Sequence, residues 1–237
     1  MRAIRLSDAS YLVWKRAREA HRRFSRLYAR GRMLDIGCGK KPLEAFFADC
    51  VQAHVGLDQA GTFHGLGRVD VVGTAYQTGQ ESNSYDTVLC TAVLEHLEEP
   101  EAALREAYRV LKPGGYAIYT APLFWHLHEE PRDFFRYTRY GLQHLFGKVG
   151  FDIAVLYPCG GFWVTVGSAV NYYLGSFSHG PVRYLVRLVR AVNNLVCLQL
   201  DRWHKVEGFT WMYLVIARKP VPRPLEEATA GGDANHA

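Results

Sequence analysis

Met33-Leu34-Asp35-Ile36-Gly37-Cys38-Gly39-Lys40-Lys41-Pro42 is the stretch on which the fold turns. A short apolar run leads into two glycines and then into the start of a helix. Glycine at such a turn lets the backbone come close to a ligand that a Cβ would hold away. In an open α/β sheet that ligand lies at the carboxyl ends of the strands and is commonly a nucleotide. A dinucleotide fingerprint needs a third glycine at position 42, and Pro42 stands there, so the turn is poor evidence for NAD. Nineteen residues after Gly39, the run Ala53-His54-Val55-Gly56-Leu57-Asp58 ends in a carboxylate. An acid at the end of a second strand can accept from both hydroxyls of a ribose. Taken alone, it reads as readily as a helix cap or a loop residue.

Outward from this turn, short apolar runs alternate with amphipathic stretches, the pattern of a parallel sheet covered by helices. Strands are predicted at Arg32–Ile36, Ala53–Asp58, Val69–Gly73, Tyr85–Thr91, Gly115–Ala121, Phe151–Tyr157 and Thr210–Ala217 from their β-branched and aromatic content. Pro100–Leu111 reads as a helix, with Leu104, Ala107, Tyr108 and Leu111 on one face and Pro113-Gly114-Gly115 after it. A second helix over Tyr140–Val149 stops at Gly150. The fold class is α/β, with an N-terminal helix before the sheet and a helical insertion late in the chain.

A chain of 237 residues, 49% hydrophobic and 22% charged, suits one soluble domain with a decorated end. It has no run of about 18 apolar residues to span a membrane and no apolar leader. Five cysteines without a C-x-x-C pair argue against a disulfide framework or a zinc site and fit the cytoplasm. Residues 1–32 hold ten Lys and Arg against Asp8 and Glu19, a local charge of +8, whereas the other residues sum to −3. The basic excess therefore belongs to an N-terminal helical arm or lid, residues 1–30, with Ala17, Ala20, Phe24, Leu27 and Tyr28 as its docking stripe. Its arginines read as a solvated face. Nucleic-acid binding is not expected, because the body lacks a basic surface and a recognised motif.

On four motifs in order the chain resembles the class I S-adenosylmethionine-dependent methyltransferases, of the methyltransferase type 11 kind. These are Leu34-Asp35-Ile36-Gly37-Cys38-Gly39, then Asp58, then Tyr85-Asp86-Thr87-Val88-Leu89-Cys90 followed by Val93-Leu94-Glu95-His96-Leu97, and last Glu106 through Gly115. The resemblance implies a Rossmann-like, doubly wound, seven-stranded sheet, mostly parallel with its last strand antiparallel. It implies S-adenosyl-L-methionine as cofactor, with Asp35, Gly37, Cys38 and Gly39 around the methionine part. Asp58 would hold the ribose, Gln59, Thr74 and Ala75 would lie near the adenine, and Ala92 and Val93 would meet the cofactor from the fourth strand. Many relatives have an acid where Thr74 stands, and a threonine hydroxyl accepts more weakly. Glu95 and His96 read as helix-start residues and are left out of catalysis.

Pro122 to Thr138 should choose the substrate. It packs two His, three acids, two Arg and five aromatics into seventeen residues. It resembles a bacterial subset of these enzymes with an H-x-E-P-x-D-(F/Y)-x-R-Y-T stretch, carried here by His128, Glu130, Pro131, Asp133, Phe135, Arg136, Tyr137 and Thr138. A hydroxyl acceptor benefits from a general base, and His128 or His126 has the suitable pKa. Trp125, Arg132, Asp133, Arg136 and Tyr137 are candidate substrate contacts. The charged residues read equally as an ion-pair latch that fixes the loop. His126, His128 and Glu129 invite a metal reading, but without a second cluster no metal is expected.

Ile153 to Val182 contains no Asp, Glu, Lys or Arg, and Val182–Leu200 sets Arg183, Arg187 and Arg190 on one stripe and Leu185, Val189, Val192 and Val196 on another. Such helices cover a pocket or a homodimer face, or lie on an anionic membrane. The expected organisation is an arm (1–30), a methyltransferase domain (31–219) with substrate loop 122–138 and helical insertion 159–203, and a disordered tail (220–237). The expected function is methyl transfer to a hydroxyl or amine of a small-molecule or glycan-type acceptor. The alternatives are a membrane-bound lipid or quinone acceptor at the inner face of the membrane, and an inactive methyltransferase-like binding module.

Overall fold

Leu34 and Ile36 join one buried cluster and Met33 joins another. A strand that buries both faces belongs in the middle of a sheet with helices on either side, and β1 (Arg32–Ile36) lies there. The computed structural model describes residues 4–62 and 64–222. β2 (Ala53–Asp58) and β4 (Tyr85–Thr91) flank β1 in parallel, with β3 (Val71–Val72) beyond β2. β5 (Leu111–Pro122), β6 (Asp152–Pro158) and β7 (Met212–Arg218) complete the order β3-β2-β1-β4-β5-β7-β6. β7 is antiparallel to both its neighbours, as the resemblance implied.

The helices divide between the two faces. α1 (Tyr11–Ala20) continues through a π-helical stretch (His21–Ser25) into α2 (Arg26–Tyr28), and α3 (Glu44–Phe47) follows β1. α4 (Pro100–Val110) and α5 (Arg139–Val149) cover one face through Leu104, Ala107, Leu142 and Phe146. α6 (Phe162–Tyr173) and α7 (Val182–Trp203) join α1 on the other, through Val164, Cys197, Leu198, Leu12 and Val13. Pro100 opens α4 at a position where its missing N–H costs nothing. Thr138 caps α5 by accepting from the Gly141 N–H at 3.0 Å, and Gly150 ends it in the left-handed region at φ +102°. Each fully buried large side chain, such as Phe146, adds about 1.5–3 kcal/mol.

Strands β1, β2 and β4 have the predicted bounds. The predicted Val69–Gly73 shrinks to Val71–Val72. Asp70 turns out of the ladder, its carboxylate accepting from the Gly56 N–H and the Lys41 ammonium. The expected docking stripe of the arm fails at Leu27, which is 77% exposed. The π-helical stretch inserts one residue per turn and rotates the helix beyond it, so His21 and Ser25 turn inward in place of Leu27. Several arm arginines are tied to the body: Arg16 to Asp201, Arg26 to Asp49, Arg30 to the Gly114 carbonyl. Residues 223–237 of the expected tail lie outside the described residues.

Candidate active site

Sheet order reverses direction between β1 and β4, and the crevice beyond the carboxyl ends of those strands is where such sheets bind ligands. A cavity of about 760 Å³ opens there, the size of small-molecule and cofactor sites. Its floor is the loop after β1 and the turn after β4. Its walls come from α1, through Val13, Trp14 and Arg18, and from the segment after β5.

All ten residues expected to hold the cofactor line this cavity: Asp35, Gly37, Cys38, Gly39, Asp58, Gln59, Thr74, Ala75, Ala92 and Val93. Gly37 and Gly39 sit at φ +71° and +49°. A Cβ on Gly37 would lie 2.4 Å from Val93 Cγ2, and one on Gly39 would lie 2.8 Å from His64 Cδ2. Gly37 thus excludes a side chain on two counts, and Gly39 does so through its backbone conformation. Asp58, buried at the end of β2, accepts from the Gly39 N–H at 2.9 Å and from the Gln59 N–H at 2.8 Å, one on each oxygen. A carboxylate offers about four acceptor positions, so two remain for a ligand diol. Asp35 accepts from His54 at 2.8 Å, while burial pushes its carboxyl above the usual range. Burial likewise pushes the Cys38 thiol up to about 12, which keeps it protonated and unreactive. Ala92 holds φ +52° where β4 gives way to the cavity, its N–H on Thr120 Oγ1 at 3.0 Å. A non-glycine residue in that region is strained and marks functional turns.

The loop after β5 divides into a wall and a latch. Trp125, His128 and Arg132 line the cavity. Trp125 packs on Tyr172 and Trp211 at 5.1 and 5.2 Å, an aromatic wall in which the buried Trp211 Nε1 has no hydrogen-bond partner among the described residues. Arg132 donates to Gln59 Oε1 at 3.1 Å and so ties this loop to the cofactor loop. Asp133, Arg136, Tyr137 and His126 are not on the wall. Arg136 grips both oxygens of Asp133 at 2.7 and 2.8 Å and reaches the carbonyls of Trp125 and His126. The guanidinium holds the Asp133 carboxyl well below the usual carboxylate range. Tyr137 donates to the Leu94 carbonyl at 2.9 Å. The His126 ring lies against Trp125 and Tyr172, and burial lowers its pKa. These four hold the loop in place.

Glu95 and His96, which the sequence presents as helix-start residues, are in the cavity wall beside His128. Glu95 is 1% exposed, and burial pushes its carboxyl up to about 8. Its Oε1 lies 3.9 Å from His128 Nε2 and 4.0 Å from His96 Nε2, and its Oε2 has no partner among the described residues. No spacing rule announces this trio, because His128 arrives from 32 residues further along the chain. Only the docking of the β5 loop over the β4 turn brings it in: the Phe134 and Phe135 N–H groups both donate to the Glu95 carbonyl.

A mostly parallel seven-stranded sheet with its cavity at this switch point defines a Rossmann-like methyltransferase fold. Residues 34–119 match the family described as methyltransferase domain. A ubiquinone biosynthesis O-methyltransferase of Xanthomonas oryzae pv. oryzae is 33% identical over 98 residues, 37% of this chain and 41% of that one. The chain thus spans about two fifths of the length of the curated relatives it matches. Among solved structures, the [4+2]-cyclase SpnF superposes with a TM-score of 0.60 at 21% identity, covering 88% of this chain and 81% of its own. Phosphoethanolamine N-methyltransferase 2 of Haemonchus contortus, in complex with S-adenosyl-L-methionine, does so at 0.54 and 19%, covering 87% and 53%. These likenesses extend the fold assignment over most of the chain.

Proposed function

We propose that the protein transfers a methyl group from S-adenosyl-L-methionine to a hydroxyl or amine of a small-molecule or glycan-type acceptor. One observation carries this reading: a single cavity runs from the Asp58 carboxylate and the Gly37–Gly39 loop to His128. The two acceptor positions left on Asp58 fit a ribose diol, and the glycine loop admits the methionine part against its backbone. The cofactor supplies a methyl on a positively charged sulfur, which departs as a neutral sulfide. What the protein adds is position and a route for the acceptor's proton. Trp125, Tyr172 and Trp211 offer a flat apolar face to an acceptor ring, and Arg132 links the two halves of the site. His128 stands in this reading as the catalytic group of the loop, with Glu95 and His96 beside it. An assay of S-adenosylhomocysteine release against hydroxyl and amine acceptors tests it. Release that depends on acceptor and vanishes in Gly37→Ala supports the reading; cofactor binding with no release from any acceptor favours the inactive binding module.

A second reading places the acceptor on a membrane. Along α7 the side chains of Leu185, Leu188, Val192 and Leu195 are exposed on one face, with Arg183 and Arg187 exposed near its start. Its one acid, Asp201, is buried against Arg16. An apolar face with unopposed basic groups suits the surface of an anionic bilayer. Among the described residues no helix is long and apolar enough to cross a membrane. Sedimentation with phosphatidylglycerol vesicles but not phosphatidylcholine vesicles is the expected result, and a concentration-dependent dimer without vesicle binding would replace it.

A further inference from the structure

Three side chains able to ligate a metal, Glu95, His96 and His128, converge in the cavity wall. His96 Nδ1 faces the Arg132 carbonyl, which only accepts, so Nδ1 donates there and Nε2 is the nitrogen turned toward Glu95. His128 Nδ1 lies 3.3 Å from both the His126 carbonyl and Asp133 Oδ2, two acceptors, which leaves its Nε2 as the nitrogen turned toward Glu95. Both Nε2 atoms point at Glu95 Oε1, at 4.0 and 3.9 Å. The ligating atoms of Glu95, His96 and His128 all fall within 4.8 Å of one another. Glu95 Oε2 is buried with no hydrogen-bond partner among the described residues, and such an atom is costly. A cation held by the three side chains supplies the missing partner.

We propose that Glu95, His96 and His128 form a binding site for a divalent first-row transition cation, such as Mn²⁺, Co²⁺ or Zn²⁺. Two imidazoles and one carboxylate are a ligand set such cations accept while leaving positions open. The outer contacts match what ligating histidines require, each holding its second nitrogen on a carbonyl or carboxylate. Glu129 Oε2, 3.9 Å from His96 Nε2, is in reach as a further ligand. The trio lines the same cavity as Trp125, Tyr172 and Trp211, so an acceptor oxygen held there would be within reach of the cation. This deepens the methyl-transfer reading by choosing a hydroxyl acceptor over an amine, and it makes His128 a ligand rather than a free base. The site rests on that reading only for its purpose.

Titration of chelator-stripped protein with Co²⁺ tests the site by visible absorption, with S-adenosylhomocysteine binding followed in parallel as a fold and cofactor control. One equivalent should bind, with d–d bands of nitrogen and oxygen ligation. Glu95→Gln and His128→Ala should each weaken Co²⁺ binding at least 100-fold, and Asp133→Asn about 10- to 100-fold. His144→Ala, at an exposed histidine remote from the cluster, should change nothing. All variants should still bind S-adenosylhomocysteine. Absence of Co²⁺ binding in the intact protein, or binding that survives both ligand variants, overturns the site while leaving the cofactor reading untouched. Loss of S-adenosylhomocysteine binding in the intact protein would instead remove the reading beneath it.

Discussion

The loop after β1 and the loop after β5 face each other across one cavity, yet they are built by different means. The first works through backbone: positive φ at Gly37 and Gly39, and the Gly39 amide anchored on the Asp58 carboxylate. The second works through side chains, with Arg136 and Asp133 as a clamp and Trp125, His128 and Arg132 as its working face. A backbone loop is rigid and admits few sequences, so it suits a constant ligand. A side-chain loop held by one clamp can change its face without changing its hold, which suits a variable acceptor.

Damage to the backbone loop should be the most severe. Gly37→Ala imposes a left-handed conformation on alanine and drives its Cβ into Val93. A loss of about 3 kcal/mol in urea-denaturation stability is expected, together with loss of cofactor binding. An unchanged midpoint would show that the loop is softer than its geometry implies.

Breaking the clamp separates the two loops. Arg136→Met leaves Asp133, whose side chain is 2% exposed, without its partner, while the guanidinium itself is 23% exposed. Partial exposure of one member reduces the usual cost of a broken buried pair, so about 1–2 kcal/mol is expected. Acceptor KM should rise while S-adenosylhomocysteine affinity stays the same. Equal loss of both would mean that the loops act as one unit through the Arg132–Gln59 contact.

The wall that α1 and its π-helical continuation give the cavity adds a pH dependence. His21 is fully buried and neutral, its pKa pushed down to about 4 from an ordinary 6.5 by burial. Between those values the unfolded chain binds the extra proton and the folded one does not, so stability falls as pH drops from 6.5 toward 4. The loss, on the order of 3 kcal/mol at the lower end, should shrink in His21→Gln when thermal unfolding is compared at pH 7 and pH 4.5. Leu188→Glu on α7 should have the smallest effect on folding, within about 0.5 kcal/mol, because the side chain is exposed. It should nonetheless abolish vesicle binding.

The same contrast explains what can be read in the sequence. β1, β2 and β4 follow from apolar runs, and the Gly37–Gly39 turn and Asp58 from their spacing, all of them local signals; the other residues expected around the cofactor come from the family resemblance, and they line the same cavity. Asp133 and Arg136 cannot be told from substrate contacts along the chain, since clamp and contact use the same residue types. Glu95 and His96 look like the start of a helix, and they do lie in a short 3₁₀ turn, Leu94–His96. Their nearness to His128 is a property of loop docking and has no signature along the chain. Leu27 departs from its expected place for a related reason: one π-helical stretch rotates the face, and helical spacing assumes none.

Whether Asp58 and the glycine loop form a cofactor site is open to a direct test, a thermal-shift titration with S-adenosylhomocysteine. Ligand at about 100 times its dissociation constant adds about 2.7 kcal/mol to stability, or roughly 5–11 °C for a chain of this size. That shift is expected in the intact protein, and its loss in Asp58→Ala. No shift at millimolar ligand, or an equal shift in both proteins, would contradict the assignment of Asp58 and its loop to the cofactor.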